Sequence, residues 1–410
     1  MSAGSVLTSA LALASVPLTI RLIGIEGYGT LVIGQALAAV MSAALVPPAW
    51  EIIQKFGAVE RGPGQSLPEV FRRWRVLEYG LSALALAASL ALIALASKRL
   101  GIDDNAGLAL IGAASLMVAN TSSHIGYLRA RNRFAPTVLA PVMVQAVRLV
   151  ILAVGWLSGG AAFPIIGIAY VGAELIRIAY LERVALAGTV RTRLAPRFAS
   201  EEVRFAAVLC MTKVVDTPVQ HLDKVVAGMM LGTADAGYLA VIRRVAGVFG
   251  LVADPVRHSV SPVLYQMVAQ QDTAGATSLA VGLGWRILMV CALLLVPVLF
   301  FQDAVLSFIT SSTWPAAAKV TFVLVLIATI LGLVFISTHT LCYALHRQRG
   351  VLFVTIASNV SFLVVLAMAV PSLGLIGFGV AIAIQILLSI LGKLYLLRDL
   401  PRQGAFGSVR

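Results

Sequence analysis

The residues of this 410-residue chain that invite a chemical reading are ionisable groups inside apolar runs. They are Arg148, Glu174 and Arg177, Lys213 and Asp216, Arg243 and Arg244, and Asp254 and Arg257. A charge deep in an apolar phase costs roughly 2.5–3.5 kcal/mol on insertion scales, so such groups demand a partner or a ligand. Glu174/Arg177, Lys213/Asp216 and Asp254/Arg257 are opposite in sign and three residues apart, which places each pair on one helix face. These pairs either neutralise themselves or serve coupling and gating. Arg148, Arg243 and Arg244 have no opposite charge within a turn. They need an acid from another helix, water, or an anionic ligand. Arginine suits phosphate because its planar fork donates two parallel bonds. The expected chemistry is anion binding in a wet, cation-lined cavity, with Arg148, Arg177, Lys213, Arg243, Arg244 and Arg257 as its lining. Glu174, Asp216 and Asp254 are expected to couple or gate, and Pro218 to bend the chain beside Lys213 and Asp216, because proline removes a backbone donor.

Motifs of catalysis are missing. There is no G-x-x-x-x-G-K-S/T for a nucleotide motor, no G-x-S-x-G and no H-E-x-x-H. No His/Cys/Asp grouping has metal-ligand spacing, so neither a metal nor a cofactor is expected. His124, His221 and His339 read as hydrogen-bonded core histidines. Cys210, Cys291 and Cys342 are far apart in apolar stretches, which excludes a disulfide scaffold.

The elements that must position these charges follow from composition. The chain is 60% hydrophobic and 12% charged, with a mean hydropathy of +0.95. A soluble domain carries about 25% charged residues. An all-α integral membrane protein is what remains. A spanning helix needs about 20 apolar residues. Twelve runs meet that length, at 4–23, 28–48, 77–97, 106–128, 135–157, 161–184, 205–230, 236–260, 280–301, 316–338, 350–370 and 373–397. The first lacks a basic leader, Arg21 being the first cation, and is expected to stay as a span.

The formal charge of +13 would suggest nucleic acid in a soluble protein, but alternate loops separate by charge. One set holds Lys55 to Arg75, Arg129 to Arg133, Arg183 to Arg204, Arg347 and Arg349, and Arg398 to Arg410. The other holds Arg21, Lys98, Arg99, Lys224 and Lys319. The division is eighteen against five. The positive-inside rule then places the first set, and both termini, in the cytoplasm. The loop 266–278 carries no Lys or Arg and does not contribute. Opposite-side loops are short, which disfavours a membrane enzyme with an external site.

The two halves also resemble each other. Ser122-Ser123-His124 recurs as Ser337-Thr338-His339 at an offset of 215, while Gly27-Tyr28 and Ile166-Gly167 recur as Gly237-Tyr238 and Ile376-Gly377 at 210. The expectation is two six-helix bundles, residues 1–200 with a basic linker and residues 201–410, with the cavity between them, a common transporter design.

One stretch carries a family resemblance. Val16-Pro17-Leu18-Thr19-Ile20-Arg21-Leu22-Ile23-Gly24-Ile25-Glu26-Gly27-Tyr28-Gly29 is similar to the "P-L-x-x-R-L-L-G-P-E-G-Y-G" signature of bacterial polysaccharide flippases, with Ile25 at the usual proline. His221 to Gly228 with Ala236-Gly237-Tyr238, the turn His346 to Gly350, and Leu373-Gly374-Leu375-Ile376-Gly377 also fit that family. It comprises the Wzx-like translocases of O-antigen and exopolysaccharide repeat units, within the superfamily of multidrug extruders (MATE-like, or MOP, architecture). The resemblance implies a multi-pass inner-membrane flippase that carries an undecaprenyl-diphosphate-linked oligosaccharide outward for lipopolysaccharide or exopolysaccharide synthesis. Its implied partners are that lipid, the bilayer, and a polymerase and chain-length regulator. It implies no site by motif. A cation-coupled multidrug extruder of the same fold is the rival, and a membrane enzyme of polysaccharide assembly the alternative of another class. Extruders of cations favour carboxylates, whereas here cations outnumber acids at depth.

Overall fold

The structure, a computed structural model, describes residues 2–57, 66–187, 198–310 and 313–398. Of residues 2, 3, 212, 216, 218, 219, 251, 252, 254–259, 261 and 262 it describes the backbone alone. All regular elements among the described residues are helices. In chain order they are α1 (Ser2–Leu45), α2 (Ala49–Gly57), α3 (Leu67–Leu100), α4 (Ala106–Val118), α5 (Ser122–Ala130), α6 (Phe134–Ser158), α7 (Ala162–Gly167) and α8 (Ala173–Leu186). There follow α9 (Ser200–Thr217), α10 (Asp223–Leu231), α11 (Thr233–Ala269), α12 (Thr273–Phe300), α13 (Gln302–Thr310), α14 (Ala316–Val334), α15 (Ile336–Ala344), α16 (Gln348–Leu373) and α17 (Leu375–Leu397).

Each predicted apolar run falls on helix. Among the described residues nine helical stretches are long and apolar enough to cross a membrane, and the protein is a multi-pass membrane protein. The first stretch, Gly4–Phe56, holds two of the predicted runs. They part at Gly24, whose φ of 73° and ψ of 171° only glycine adopts without strain. The runs at 205–230 and 236–260 lie on α9 to α11, outside the nine.

Contacts divide the chain into two compact units. One is Met1–Ala240 with Ile309–Ser311, the other Val241–Phe308 with Ser312–Arg410. In the first, α1 packs on α3, α4, α6 and α9. Helices pack in lipid through small residues that let backbones meet. A methyl group on Gly34 would overlap the Ala109 carbonyl, and one on Gly112 would overlap the Leu31 carbonyl, so α1 and α4 touch backbone to backbone. Gly112→Val must push them apart, and overpacking of this kind costs about 1–3 kcal/mol. Thermal unfolding of the detergent-solubilised variant checks this, with Gly80→Ala as control, since Gly80 has open space around it. The α9 helix is pinned to the same unit by Glu202, which accepts from Arg73 Nη2 and from Trp74 Nε1, both at 3.2 Å. The packing of the first unit therefore continues past the sequence-repeat boundary near residue 200 and through α10. In the second unit α17 packs on α14 and α16, and α12 on α14 and α15, around Phe322, Phe362 and Phe378.

Several spans are interrupted. Pro47 and Pro48 stand between α1 and α2, Ala119 to Thr121 between α4 and α5, and Phe335 between α14 and α15. The segments α5 and α15 that follow two of these breaks are each nine residues long. Their first turns hold Ser122-Ser123-His124 and Ser337-Thr338-His339, so the sequence repeat is also a repeat of local structure. Ile168–Gly172 and Pro218–Leu222 are π-helical turns. Pro218, where a bend was expected, opens the second of these wider turns, a form in which a helix continues past a missing donor.

Candidate functional site

A helix broken inside a bilayer exposes carbonyls at one end and N–H groups at the other, with no water to satisfy them. The break between α4 and α5 meets this with charges. On its N–H side, Glu78 of α3, 2% exposed, accepts from Ser122 N at 2.8 Å and Ser123 N at 2.9 Å, and from the Ser123 hydroxyl. On its carbonyl side, Arg177 donates through Nη2 to Ala119 O. An anion at the N-terminus and a cation at the C-terminus also match the helix dipoles. The neighbouring break is tied in as well. Lys213 Nζ donates to Val46 O at 3.1 Å, and the Ser122 hydroxyl accepts from Trp50 N at 3.0 Å, capping α2. Between the two breaks, Asn120 Nδ2 donates to Ser82 at 3.1 Å and Ser42 at 3.3 Å.

Behind the break lies an Arg–Glu–Arg cluster on α6 and α8. Glu174 Oε1 is 3.1 Å from Arg148 Nη2, and its Oε2 is 3.1 Å from Arg177 Nε. The second contact is at ion-pair distance but not aligned as a hydrogen bond. Arg148 also donates Nε to Ala169 O and Nη1 to Gln145 Oε1, both at 3.3 Å, and its guanidinium lies 4.4 Å from the Tyr170 ring centre. Arg148 is therefore not a solitary cation. The acid it needs comes from α8, and the π-turn supplies its carbonyl and its aromatic face. The Glu174/Arg177 pair read from spacing is present.

A polar cavity of about 370 Å³ opens at the two breaks. Ser42, Asn120, Lys213, Thr217, Gln220 and His221 line it, together with four apolar residues. No carboxylate is among its described lining residues. Of the expected cavity residues, Lys213 is on its wall. Arg177 reaches the carbonyl of Ala119, another wall residue. Arg148 and Glu174 sit one layer back. Arg243 and Arg244 are half-buried on α11, in the second unit. The side chains of Asp216, Pro218, Asp254 and Arg257 lie outside the described residues. Among the described residues no three His, Cys, Asp or Glu side chains gather as a metal site.

Other charged groups escaped the sequence reading. Glu182 gathers Arg75 Nη1 at 2.8 Å, the Tyr79 hydroxyl at 2.8 Å and His124 Nε2 at 3.3 Å, and His124 is fully buried. Glu78 and Glu202 were hidden because each sits near an arginine-rich loop. For Glu78 the one local signal was Ser122-Ser123 after an apolar run, a helix start that wants an anion. Every buried acid or base among the described residues lies in the first unit.

No family model and no curated protein sequence matches this chain. Solved structures do match its fold. An inward-facing multidrug resistance MATE family transporter of the MOP superfamily superposes with a TM-score of 0.68 at 14% identity, over 97% of this chain and 94% of that one. The lipid II flippase MurJ in an inward closed conformation gives 0.67 at 17% identity, over 97% and 87%. An outward-facing MATE transporter of the same superfamily gives 0.65 at 13%, over 97% and 94%. At these identities the likeness establishes the fold.

Proposed function

We propose that this protein is a MOP-type transporter of twelve spans in two six-helix bundles. Its cargo is an undecaprenyl-diphosphate-linked oligosaccharide moved from the cytoplasmic to the outer leaflet of the inner membrane. The proposal includes both termini in the cytoplasm and a polymerase and chain-length regulator as neighbours in surface-polysaccharide assembly. Two of the fold's known bearers are named for multidrug resistance and one for lipid II, so fold alone supports transport and leaves the cargo to local chemistry.

The observation that carries the choice is the state of the carboxylates. The four buried ones described in the first unit are all engaged. Glu78 holds three donors, Glu174 two arginines, Glu202 an arginine and an indole, and Asp223 the Lys224 ammonium. Among the described lining residues a cationic drug meets Lys213 and no acid. A phosphorylated headgroup meets a cation and several neutral donors. The same protein can offer hydrated sugars the polar surface that hydrocarbon denies them.

Lys213 is the residue to test. Lys213→Met is expected to cut flipping of lipid-linked oligosaccharide in proteoliposomes about tenfold, equivalent to about 1.4 kcal/mol, with normal membrane insertion. Lys213→Arg restores charge and donor and should recover most of it. Full activity in Lys213→Met, or efflux of an organic cation by the native chain without lipid flipping, overturns the assignment.

A further inference from the structure

Two donors of the first unit stand close together without an acceptor. Arg129 lies in the last turn of α5, half-buried, with its guanidinium 6.0 Å from the centre of the Trp50 ring on α2. Its Nε is buried and meets no acceptor among the described residues, and its two Nη atoms have none there either. Nearby arginines do have partners. Arg73 ends on Glu202, Arg75 on Glu182 and Arg131 on the Tyr127 hydroxyl. The Trp50 indole is in the same state as Arg129. Its Nε1 donates to nothing among the described residues, whereas Trp74 Nε1 reaches Glu202 and Trp314 Nε1 reaches the Leu306 carbonyl. Glu51, beside Trp50 in sequence, interacts with Lys213.

The backbone around this pair is fixed. Trp50 N donates to Ser122 Oγ at 3.0 Å, and a methyl group on Gly126 would lie 2.6 Å from Trp50 Cα, so α2 and α5 meet backbone to backbone. Gly126 and Arg129 are three residues apart and share a helix face. The face of α5 that meets α2 is therefore the one that carries Arg129. A buried donor without an acceptor is costly, and in a native protein it calls for an explanation. An arginine placed only to hold a loop in water would be exposed, as Arg133 is. Arg129 and Trp50 each stand within about two turns of the end of a spanning stretch. That is the depth of lipid headgroups, where tryptophan gathers. Neither residue lines the cavity of about 370 Å³, so the cargo reading does not account for them.

We infer that Arg129 and Trp50 bind the phosphate of an anionic phospholipid, a resident lipid held at α2 and α5 and not carried as cargo. The guanidinium fork donates two parallel bonds to phosphate oxygens. The indole N–H adds a neutral donor, and the indole face packs on the glycerol and the first methylenes. Basic pockets between spanning helices bind such headgroups. The segments α2 and α5 both follow a break in their span, at Pro47-Pro48 and at Ala119 to Thr121. A lipid bound to both steadies them without entering the cavity. The inference goes beyond the transport reading and does not rest on it.

Unfolding midpoints of the purified full-length protein in lipid nanodiscs test the site. Discs of phosphatidylglycerol are compared with discs of phosphatidylcholine, whose headgroup carries no net charge. The native chain is expected to unfold several degrees higher in phosphatidylglycerol. Arg129→Gln should lose most of that difference and keep the native midpoint in phosphatidylcholine. Arg129→Lys keeps the charge without the fork and should recover part of it. Trp50→Phe removes the indole N–H, keeps a ring and should lose part, and it serves if Arg129→Gln does not fold. Arg133→Gln removes an exposed cation at the same end and should keep nearly all of the difference. Three results overturn the site. They are equal native midpoints in the two lipids, a difference untouched in folded Arg129→Gln and Trp50→Phe, or an equal loss in Arg133→Gln, which would be general attraction to a charged surface. Inorganic phosphate protecting the protein in phosphatidylcholine discs as well as phosphatidylglycerol does overturns the lipid as occupant. So does protection through Arg129 by a polyprenyl diphosphate alone, which would make the pair part of the cargo path. The presence or absence of lipid flipping bears on the transport reading and not on this site.

Discussion

Glu78→Ala is expected to unfold the first unit or leave it barely stable. The carboxylate, itself buried, accepts from two backbone N–H groups and one hydroxyl at a helix start. Each buried donor left without a partner costs about 1–3 kcal/mol, so three together cost about 3–9 kcal/mol, a large part of a domain's whole stability. Nothing nearby can substitute, because Glu182 is already shared among Arg75, Tyr79 and His124. Glu78→Gln retains one oxygen as acceptor and turns the other into a donor facing donors, so it should lose nearly as much. Glu78→Asp keeps the charge and shortens the reach, and should fall between. Ser123→Ala removes only the hydroxyl bond and should cost about 1 kcal/mol. Denaturation midpoints of the purified variants in detergent check the order Ser123→Ala, Glu78→Asp, Glu78→Ala. A Glu78→Ala protein as stable as the native chain would mean that the break between α4 and α5 does not depend on this cap.

What could be read from the sequence, and what could not, follows from the range of each interaction. Span positions depend on runs of apolar residues, which are local, and ten of the twelve predicted runs fall in the nine described stretches long and apolar enough to span. The turn at Gly24 was legible between two runs for the same reason. So was the Glu174/Arg177 pair, since three residues along a helix share a face. The repeat of Ser122-Ser123-His124 as Ser337-Thr338-His339 was legible as a pattern, but its meaning was not, since nothing in three polar residues says that the span breaks just before them. The partners of the deep charges are long-range. Arg148 meets Glu174 across 26 residues, Glu78 meets Ser122 across 44, and Lys213 meets Val46 across 167. No spacing rule spans those distances. The expectation that Arg148 lines the cavity could not foresee this, since absence of an acid within a turn says nothing about the next helix. The carbonyls freed at Val46 and Ala119 were equally invisible, yet they explain why Lys213 and Arg177 stand where they do. The cations at depth therefore divide into those that complete the backbone and those that face a cavity, and Lys213 does both.

Glu174 and Arg148 give the second large effect, through the asymmetry of their cluster. Glu174→Ala is expected to be far more damaging than Arg148→Met. Removing the acid leaves two buried guanidinium groups side by side with no counter-charge, and breaking a buried ion pair from one side costs about 3–5 kcal/mol. Arg177 would also be drawn off the Ala119 carbonyl, so the fault spreads to the broken span. Removing Arg148 instead leaves Glu174 paired with Arg177, a neutral couple with its shared contact intact. What is lost is the bonds to the Ala169 carbonyl, Gln145 Oε1 and Glu174 Oε1 and the cover over Tyr170, together about 2–3 kcal/mol. Methionine refills most of the space. Arg177→Met should resemble Glu174→Ala more than Arg148→Met, because it strips the Ala119 carbonyl of its donor as well. Unfolding midpoints and lipid-flipping rates, measured on the same preparations, separate two roles for Arg148. As a positioning residue, Arg148→Met loses a little stability and keeps most of its flipping. As a cargo ligand, it would keep its stability and lose flipping, and that outcome would restore Arg148 to the cavity from which its bonds to Glu174, Gln145 and Ala169 remove it.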